Sequence, residues 1–217
     1  MTFETFWHRA KGYTFKGGRW SCSCGRIWEI LYSRNFPERY SFKPKCTCET
    51  EASKMNRSTF YTGVGSRKTP KAILDIMKAL AAKLGSAGWI LRSGGADGAD
   101  LAFESGAERG IIYYANQATP AAMAIAAKFH PAWNRCSDFA KRLHGRNSFQ
   151  VLGKTLDRPS KFLVCWTEDA CISHQTRTIT TGGTGTAISI ADHYGVQIFN
   201  LANSDHLNRI KSFLGDI

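Results

Sequence analysis

The chain has 217 residues, of which 43% are hydrophobic and 12% aromatic, and its formal net charge is +12. This composition is that of a folded protein and excludes a largely disordered chain. No apolar run reaches the roughly 18 residues that a membrane span requires, and the N-terminus lacks the apolar segment of a signal peptide. We therefore expect a cytoplasmic protein without a membrane partner, whose positive charge favours association with polyanions.

The first 50 residues contain two closely spaced cysteine pairs. Each pair has the form C-x-C, and 21 residues separate the pairs. Four thiolates predict one structural zinc ion, around which a small domain with little core can fold; two disulfides or four free thiols are the alternatives. The predicted zinc ligands are Cys22, Cys24, Cys46 and Cys48. We expect a zinc-ribbon-like module over residues 1–50, a polar linker over residues 51–58 and a second domain over residues 59–217.

The second domain begins with two strand, glycine-turn, helix units. Phe60–Thr62 is a short β-type run, and Thr69 followed by Pro70 has the residue types of an N-cap and a first helical position. A second strand is predicted at Trp89–Leu91. The two turns that follow these strands are Gly63–Arg67 and Ser93–Asp100. Such turns in a doubly wound sheet bind phosphates through bare backbone N–H groups and the positive ends of helices.

The middle of the domain is predicted to be mostly helical. Its elements are a helix over Ala99–Gly106 with Leu101 and Phe103 inward, a strand over Gly110–Tyr114, a helix over Pro120–Phe129 and a basic helix over Asp138–His144. A separate helix is predicted to begin at Arg146 and Asn147 and to run to Val151. Its start suits an anion, and capping by Asn147 is the alternative. Gln150 is a candidate contact to a base or a ribose.

The last third supplies a third glycine turn. The predicted elements are the strand Lys161–Trp166, the loop Thr167–Thr181, a turn at Gly182–Thr186, a helix from about Ala187 to Tyr194, the strand Gly195–Leu201 and the helix Asp205–Leu214. One such turn is weak evidence, but three in one small domain favour a shared ligand crevice. We predict an α/β fold with a Rossmann-like, doubly wound, mainly parallel sheet.

The predicted ligand-binding residues lie in the three turns and at the start of the helix that is predicted to begin at Arg146. They are Gly63, Gly65, Ser66, Arg67, Ser93, Gly94, Gly95, Ala96, Asp97, Gly98, Asp100, Arg146, Asn147, Gly182, Gly183, Thr184, Gly185 and Thr186.

Three stretches carry a resemblance to a known family. TGVGSRKTP together with SGGADGAD resembles the core of the DNA-processing protein A (DprA/Smf) family, and GGTGTA followed by VQIFNL resembles the last third of the wider SLOG superfamily. HGRNSFQVLG and PSKFLVCWT are similar to DprA-like proteins encoded by bacteriophages. The resemblance covers roughly residues 59–201 and also extends, more distantly, to the LOG-type phosphoribohydrolases.

The resemblance implies three functions. The first is binding of a nucleotide-type ligand without turnover, in a concrete version by a phage protein that sequesters a host immune signal such as a cyclic oligonucleotide or an ADP-ribose derivative. The second is DprA-like binding of single-stranded DNA, with Arg67, Lys68, Arg92, Arg142 and Arg146 as phosphate contacts. The third is LOG-like hydrolysis, which stays open as an alternative although Ser189 stands where that family has its glutamate. SLOG folds commonly pair, which implies a homo-oligomer.

Overall fold

The computed structural model describes the backbone of residues 2–10, 13–21 and 27–32, and the backbone and side chains of residues 59–215. The chain forms two compact units, Met1–Arg57 and Ser58–Ile217. In the first unit, β1 (Thr2–Ala10), β2 (Tyr13–Ser21) and β3 (Ile27–Tyr32) form an antiparallel sheet in that order. The four cysteines of the predicted zinc site, Cys22, Cys24, Cys46 and Cys48, lie outside the described residues, so this site stays a prediction.

The second unit is built on a five-stranded parallel sheet. Its strands are β4 (Phe60–Gly63), β5 (Ile90–Ser93), β6 (Gly110–Ile112), β7 (Phe162–Cys165) and β8 (Gln197–Asn200). The spatial order is β6-β5-β4-β7-β8, and every neighbouring pair is parallel. The order therefore reverses between β4 and β7, and a doubly wound sheet has its ligand crevice at such a reversal.

Six α-helices accompany this sheet. They are α1 (Lys71–Ser86), α2 (Ala99–Gly106), α3 (Pro120–Phe129), α4 (Asp138–Leu152), α5 (Thr184–His193) and α6 (Ser204–Leu214), with short 3-10 turns at Ala115–Gln117 and Trp133–Arg135. The prediction of a Rossmann-like α/β domain is confirmed at this level. None of the helices in the part of the chain that the structure describes has the length and apolarity needed to cross a bilayer.

The two larger of three apolar clusters in residues 59–215 hold the layers together. One joins β4 and β5 to α1, α2 and α6, and contains the buried residues Tyr61, Leu80, Leu91, Phe103 and Ile210. The other joins β7 to α4 and α5, and contains Leu152, Leu163, Ile188 and Ile190. The short strand β4 is buried along its whole length, as a central parallel strand between two helical layers must be.

The largest correction concerns α4. The prediction of two helices, Asp138–His144 and Arg146–Val151, is wrong, because one continuous helix runs from Asp138 to Leu152. Gly145 is a site of close packing within it: a Cβ at this position would lie 2.7 Å from Cγ of Met123 in α3. Arg146 and Asn147 are therefore mid-helical, and neither the helix-start anion site nor the cap that was expected there exists.

Smaller corrections concern helix starts and one inward face. Pro70 occupies the N-cap of α1, and the Thr69 hydroxyl donates to the Ser66 carbonyl at 2.7 Å instead of capping the helix. Leu101 was expected to face inward but is 55% exposed, whereas Phe103 is fully buried as predicted. Helix α5 begins at Thr184, three residues before the predicted start, so that Thr184 and Thr186 belong to its first turn.

Candidate functional site

A crevice of about 850 Å³ lies where strands β4, β5 and β7 end. The three glycine turns reach it from three sides, and one face of α4 forms a fourth wall. The lining includes twelve predicted ligand residues, namely Gly65, Ser66, Arg67, Gly94, Gly95, Ala96, Asp100, Arg146, Asn147, Gly182, Gly183 and Thr184. The other six, Gly63, Ser93, Asp97, Gly98, Gly185 and Thr186, lie in the same turns but outside the lining.

The first two turns interlock. A Cβ at Gly98 would lie 2.8 Å from the Ser66 carbonyl oxygen and 2.8 Å from the Arg67 Cα, and Gly98 has a φ of +83°. A Cβ at Gly65 would in turn lie 2.6 Å from the Cβ of Ala99. Only glycines permit this approach of backbone to backbone. The side chains of Arg67 and Lys68 are left exposed beside the crevice mouth.

Acidic side chains already occupy part of the second turn. The Gly95 N–H donates to Glu104 Oε1 at 2.8 Å, and the Ala96 N–H donates to Asp100 Oδ2 at 3.5 Å. Asp100, in the first turn of α2, thus bonds to a backbone N–H of the turn before that helix. A phosphate at this turn would therefore have to compete with two carboxylates for the same donors.

The wall formed by α4 carries the polar side chains of the crevice. Arg146 donates from Nη1 to the Gly94 carbonyl, and its Nη2 lies 4.0 Å from Asp100 Oδ2. Asn147 donates from Nδ2 to the Gly183 carbonyl at 3.1 Å. These contacts connect α4 to the second and the third turns, so the helix sets the width of the crevice.

Several buried polar atoms at this wall have no protein partner. Gln150 is 1% exposed, and neither its amide nitrogen nor its amide oxygen has a hydrogen-bond partner in the protein. The same holds for Arg146 Nε on this wall and, at the end of β5 and outside the crevice lining, for the hydroxyl of Ser93, which is fully buried. The amide of Gln150 lies over Gly94, where a Cβ would be 2.4 Å from Nε2. An unpaired buried polar group costs about 1–3 kcal/mol, which a ligand could offset.

Hydrogen bonds fix the loop before the third turn. Asp169 accepts from the Thr178 hydroxyl at 2.6 Å and also from the Thr181 hydroxyl. Asn200, at the end of β8, accepts from the Thr167 N–H at 3.2 Å. The loop therefore holds Gly182–Thr184 at the crevice edge. His174 is exposed, and its Nδ1 lies 3.0 Å from Oγ of the buried Ser189.

Burial dominates the electrostatics of the crevice. It raises the pKa of Asp100 to about 7; Arg146 and the Ala96 N–H act in the opposite direction, and Glu104 raises the pKa further. Burial also lowers the pKa of Arg146. His144, on the same helix, has its pKa lowered to about 4 by burial and by the neighbouring His130, Arg177 and Arg146. At neutral pH the His144 ring is therefore uncharged.

The buried Asp100 should make stability fall with increasing pH. Its folded-state pKa of about 7 lies above the ordinary value of 3.8, so between these values the folded protein binds more protons than the unfolded chain. The stabilisation is present below pH ~4 and is lost as the pH rises to ~7, by roughly 4 kcal/mol at most.

Asp100→Asn should remove this decline, measured as urea unfolding free energies at pH ~5 and ~8. Asp97→Asn, in the same turn but exposed, is the matched control and should keep the wild-type dependence; a wild-type slope in Asp100→Asn would contradict the argument.

Comparison of the chain with protein-family models, curated proteins and solved structures finds no match. The Rossmann-like fold therefore rests on the sheet order alone. The resemblance to the SLOG superfamily stays a prediction from the motifs.

Sequence reasoning missed several residues of the crevice. They are Tyr114, Ala140, Leu143, His144, Glu168, Ile179 and Thr180. A usable signal existed for those on α4, because positions 140, 143, 144, 147 and 150 recur at helical spacing and share one face of an uninterrupted helix. Tyr114 had a weaker signal, since it follows the carboxyl end of β6, where a ligand of a parallel sheet is expected.

Proposed function

We propose that the protein binds a phosphate-bearing nucleotide in the crevice without turning it over. The observation that carries this proposal is the buried amide of Gln150, which lies without a protein partner beside the equally unpaired Nε of Arg146. Polar atoms of this kind are expensive to keep in a folded protein unless a ligand uses them. Their position at the reversal of a parallel sheet, between three glycine turns, is where nucleotides bind in doubly wound folds.

The two ends of the crevice differ in chemistry. In the proposed complex the phosphates lie at Gly182–Thr184, at the positive end of α5. The base or the ribose lies against the Gln150 amide, which can both donate and accept. Tyr114 lines the crevice and is 54% exposed, so its ring is available for stacking on a base.

The placement of the acidic side chains supports binding without turnover, and the lining carboxylates are Asp100 and Glu168. Cleavage of an N-glycosidic bond needs a carboxylate beside the sugar, and Asp100 is engaged with the Ala96 N–H and paired with Arg146. Ser189 stands at the position that resembles the LOG-type glutamate. Its side chain is buried, and its hydroxyl lies 3.0 Å from Nδ1 of His174. Chromatography of nucleoside monophosphates incubated with the protein tests this part, with Glu168→Gln as the variant that would lose any turnover.

The resemblance to phage DprA-like proteins supports a more specific version. In it, the crevice sequesters a host signalling nucleotide, either a cyclic oligonucleotide or an ADP-ribose derivative. A tightly sequestered ligand should stay bound through purification. While bound, it stabilises the folded state.

We expect a nucleotide to co-purify with the protein. Denaturing the purified chain and analysing the supernatant by absorbance near ~260 nm and by mass spectrometry should yield about one small nucleotide per chain. If nothing is released, titration calorimetry with ADP-ribose and with a cyclic dinucleotide decides whether the protein binds a nucleotide of this kind. Absence of binding to both would overturn the sequestration version, and oligonucleotide fragments in the supernatant would favour DNA binding.

Binding of single-stranded DNA is the second candidate. The exposed Arg67 and Lys68 beside the crevice mouth favour it, as does the net charge of +12. Arg92, however, is withdrawn as a phosphate contact, because it is buried and donates from Nη1 to the Arg158 carbonyl at 2.7 Å.

Salt and two variants separate the candidates. Affinity for DNA should fall steeply with salt and should weaken in an Arg67→Ala/Lys68→Ala variant. Affinity for a nucleotide held on the buried wall should depend little on salt and should weaken in Gln150→Leu.

A further inference from the structure

We infer that His130, Cys136 and His144 form a binding site for a zinc-class transition metal. One ring nitrogen of each histidine and the sulfur of Cys136 all lie within 4.8 Å of one another. These three residues are not among those predicted from the sequence to bind metal.

The sulfur–nitrogen distances are close to the spacing that a tetrahedral metal imposes, and a turn of the His130 ring would point one of its two nitrogens at the ion. Cys136 Sγ lies 3.7 Å from Nδ1 and 3.8 Å from Nε2 of His130. A tetrahedral zinc ion with bonds of about 2.3 Å to sulfur and about 2.0 Å to nitrogen holds these two atoms about 3.6 Å apart. The two imidazole rings have centroids 4.2 Å apart. Small side-chain movements would therefore suffice to close the site around an ion.

The three donors come from both sides of one connection. His130 follows the last residue of α3, Cys136 directly precedes the Ser137 N-cap of α4, and His144 lies two turns into α4. Trp133 packs near both rings, with centroid distances of 6.1 Å to His130 and 6.5 Å to His144. A bound ion would fasten the α3–α4 connection to the helix that forms the crevice wall.

The hydrogen bonds around the donors are compatible with ligation. His144 Nδ1 lies 3.0 Å from the hydroxyl of the buried Thr186. A bond from a protonated Nδ1 to this oxygen leaves Nε2 free of a proton, the arrangement that orients most metal-binding histidines. At His130, the Ala132 N–H donates to Nδ1 at 3.2 Å, and a metal bound through Nδ1 would replace this bond.

The donor set determines which metal fits. Two imidazoles and one thiolate suit zinc, cobalt or copper and exclude magnesium and calcium, which take oxygen ligands. Arg146 and Arg177 bring positive charge to the neighbourhood of His144 and would repel a bound cation. The negative charge of the Cys136 thiolate would offset this repulsion. Three protein ligands leave the fourth position open, and His144 also lines the crevice.

Metal analysis of the full chain tests the site. Wild type and Cys136→Ser, both purified without chelators, are compared for zinc per chain by mass spectrometry. The expected result is that Cys136→Ser contains one zinc fewer, whatever the N-terminal cysteines hold. Cys171→Ser, which changes a different free thiol, is the control and should keep the wild-type amount. Equal zinc in wild type and Cys136→Ser would overturn the proposal.

Cobalt substitution provides an independent measurement. The difference spectrum between cobalt-loaded wild type and Cys136→Ser should contain the near-ultraviolet charge-transfer band of a single thiolate, together with the visible bands of a tetrahedral ion. His130→Gln should lose the same bands, and it replaces Cys136→Ser if circular dichroism shows that the serine variant is unfolded. A spectrum unchanged in His130→Gln would refute ligation by this cluster.

Discussion

Gln150→Leu should stabilise the protein and at the same time weaken its binding of a nucleotide. Leucine has nearly the volume of glutamine but no polar atoms, and in the folded protein the Gln150 amide is buried without a protein partner. Removing an unpaired buried amide should raise the free energy of unfolding by roughly 1–2 kcal/mol. Removing the same amide from a ligand contact should lower affinity by roughly 10- to 100-fold.

The two effects are measured separately. Urea unfolding of the ligand-free protein gives the stability, and titration calorimetry with the nucleotide that co-purifies, or with ADP-ribose, gives the affinity. Gln197→Leu, at an exposed position of β8, is the control and should change neither quantity appreciably. A Gln150→Leu protein that is less stable than wild type would contradict the assignment of this amide to a binding wall, whatever the ligand proves to be.

Gly106→Ala should be among the most destabilising single substitutions in the second unit. A Cβ at Gly106 would lie 2.1 Å from the backbone carbonyl oxygen of Lys78 and 2.9 Å from its carbonyl carbon. The obstacle is the backbone of α1, which cannot rotate away as a side chain would, so α1 and α2 must separate. We expect the free energy of unfolding to fall by about 2–4 kcal/mol.

The matched control is Gly110→Ala. Gly110 is the first residue of β6, and a Cβ there would meet only side-chain atoms, at 3.6 Å and beyond, so its cost should stay below about 1 kcal/mol. Chemical denaturation of the two variants and the wild type makes the comparison. Equal stability of the two variants would mean that the α1–α2 contact is not as close as the structure has it.

Local sequence patterns were sufficient to predict the bounds of a helix where that helix had its own start and stop signals. Helices Ala99–Gly106 and Pro120–Phe129 run between the predicted residues: the first follows a glycine turn, and Thr119 and Pro120 supply a cap and a first helical residue for the second. The three glycine turns also predicted which edge of the sheet carries the crevice, because parallel strands bring their carboxyl ends together.

Tertiary packing explains what the patterns could not predict. Two helices were predicted, one on each side of Gly145, but this glycine lies inside the continuous helix α4, where α3 packs against it. Only the continuous helix brings His144, Asn147 and Gln150 to one wall. The pairing of His130 with His144 and Cys136 likewise depends on how α3 and α4 meet, which no short-range spacing encodes.

The contact between Gly98 and the backbone at Ser66 and Arg67 has a consequence for how this protein can change through evolution. Neither turn can gain a residue or a side chain at that point without pushing the other out of place. Insertions or bulky substitutions in one turn are then acceptable only with a matching change in the other. Variants of this protein that differ in ligand preference should therefore show paired changes in the two turns, with single-turn variation confined to the third.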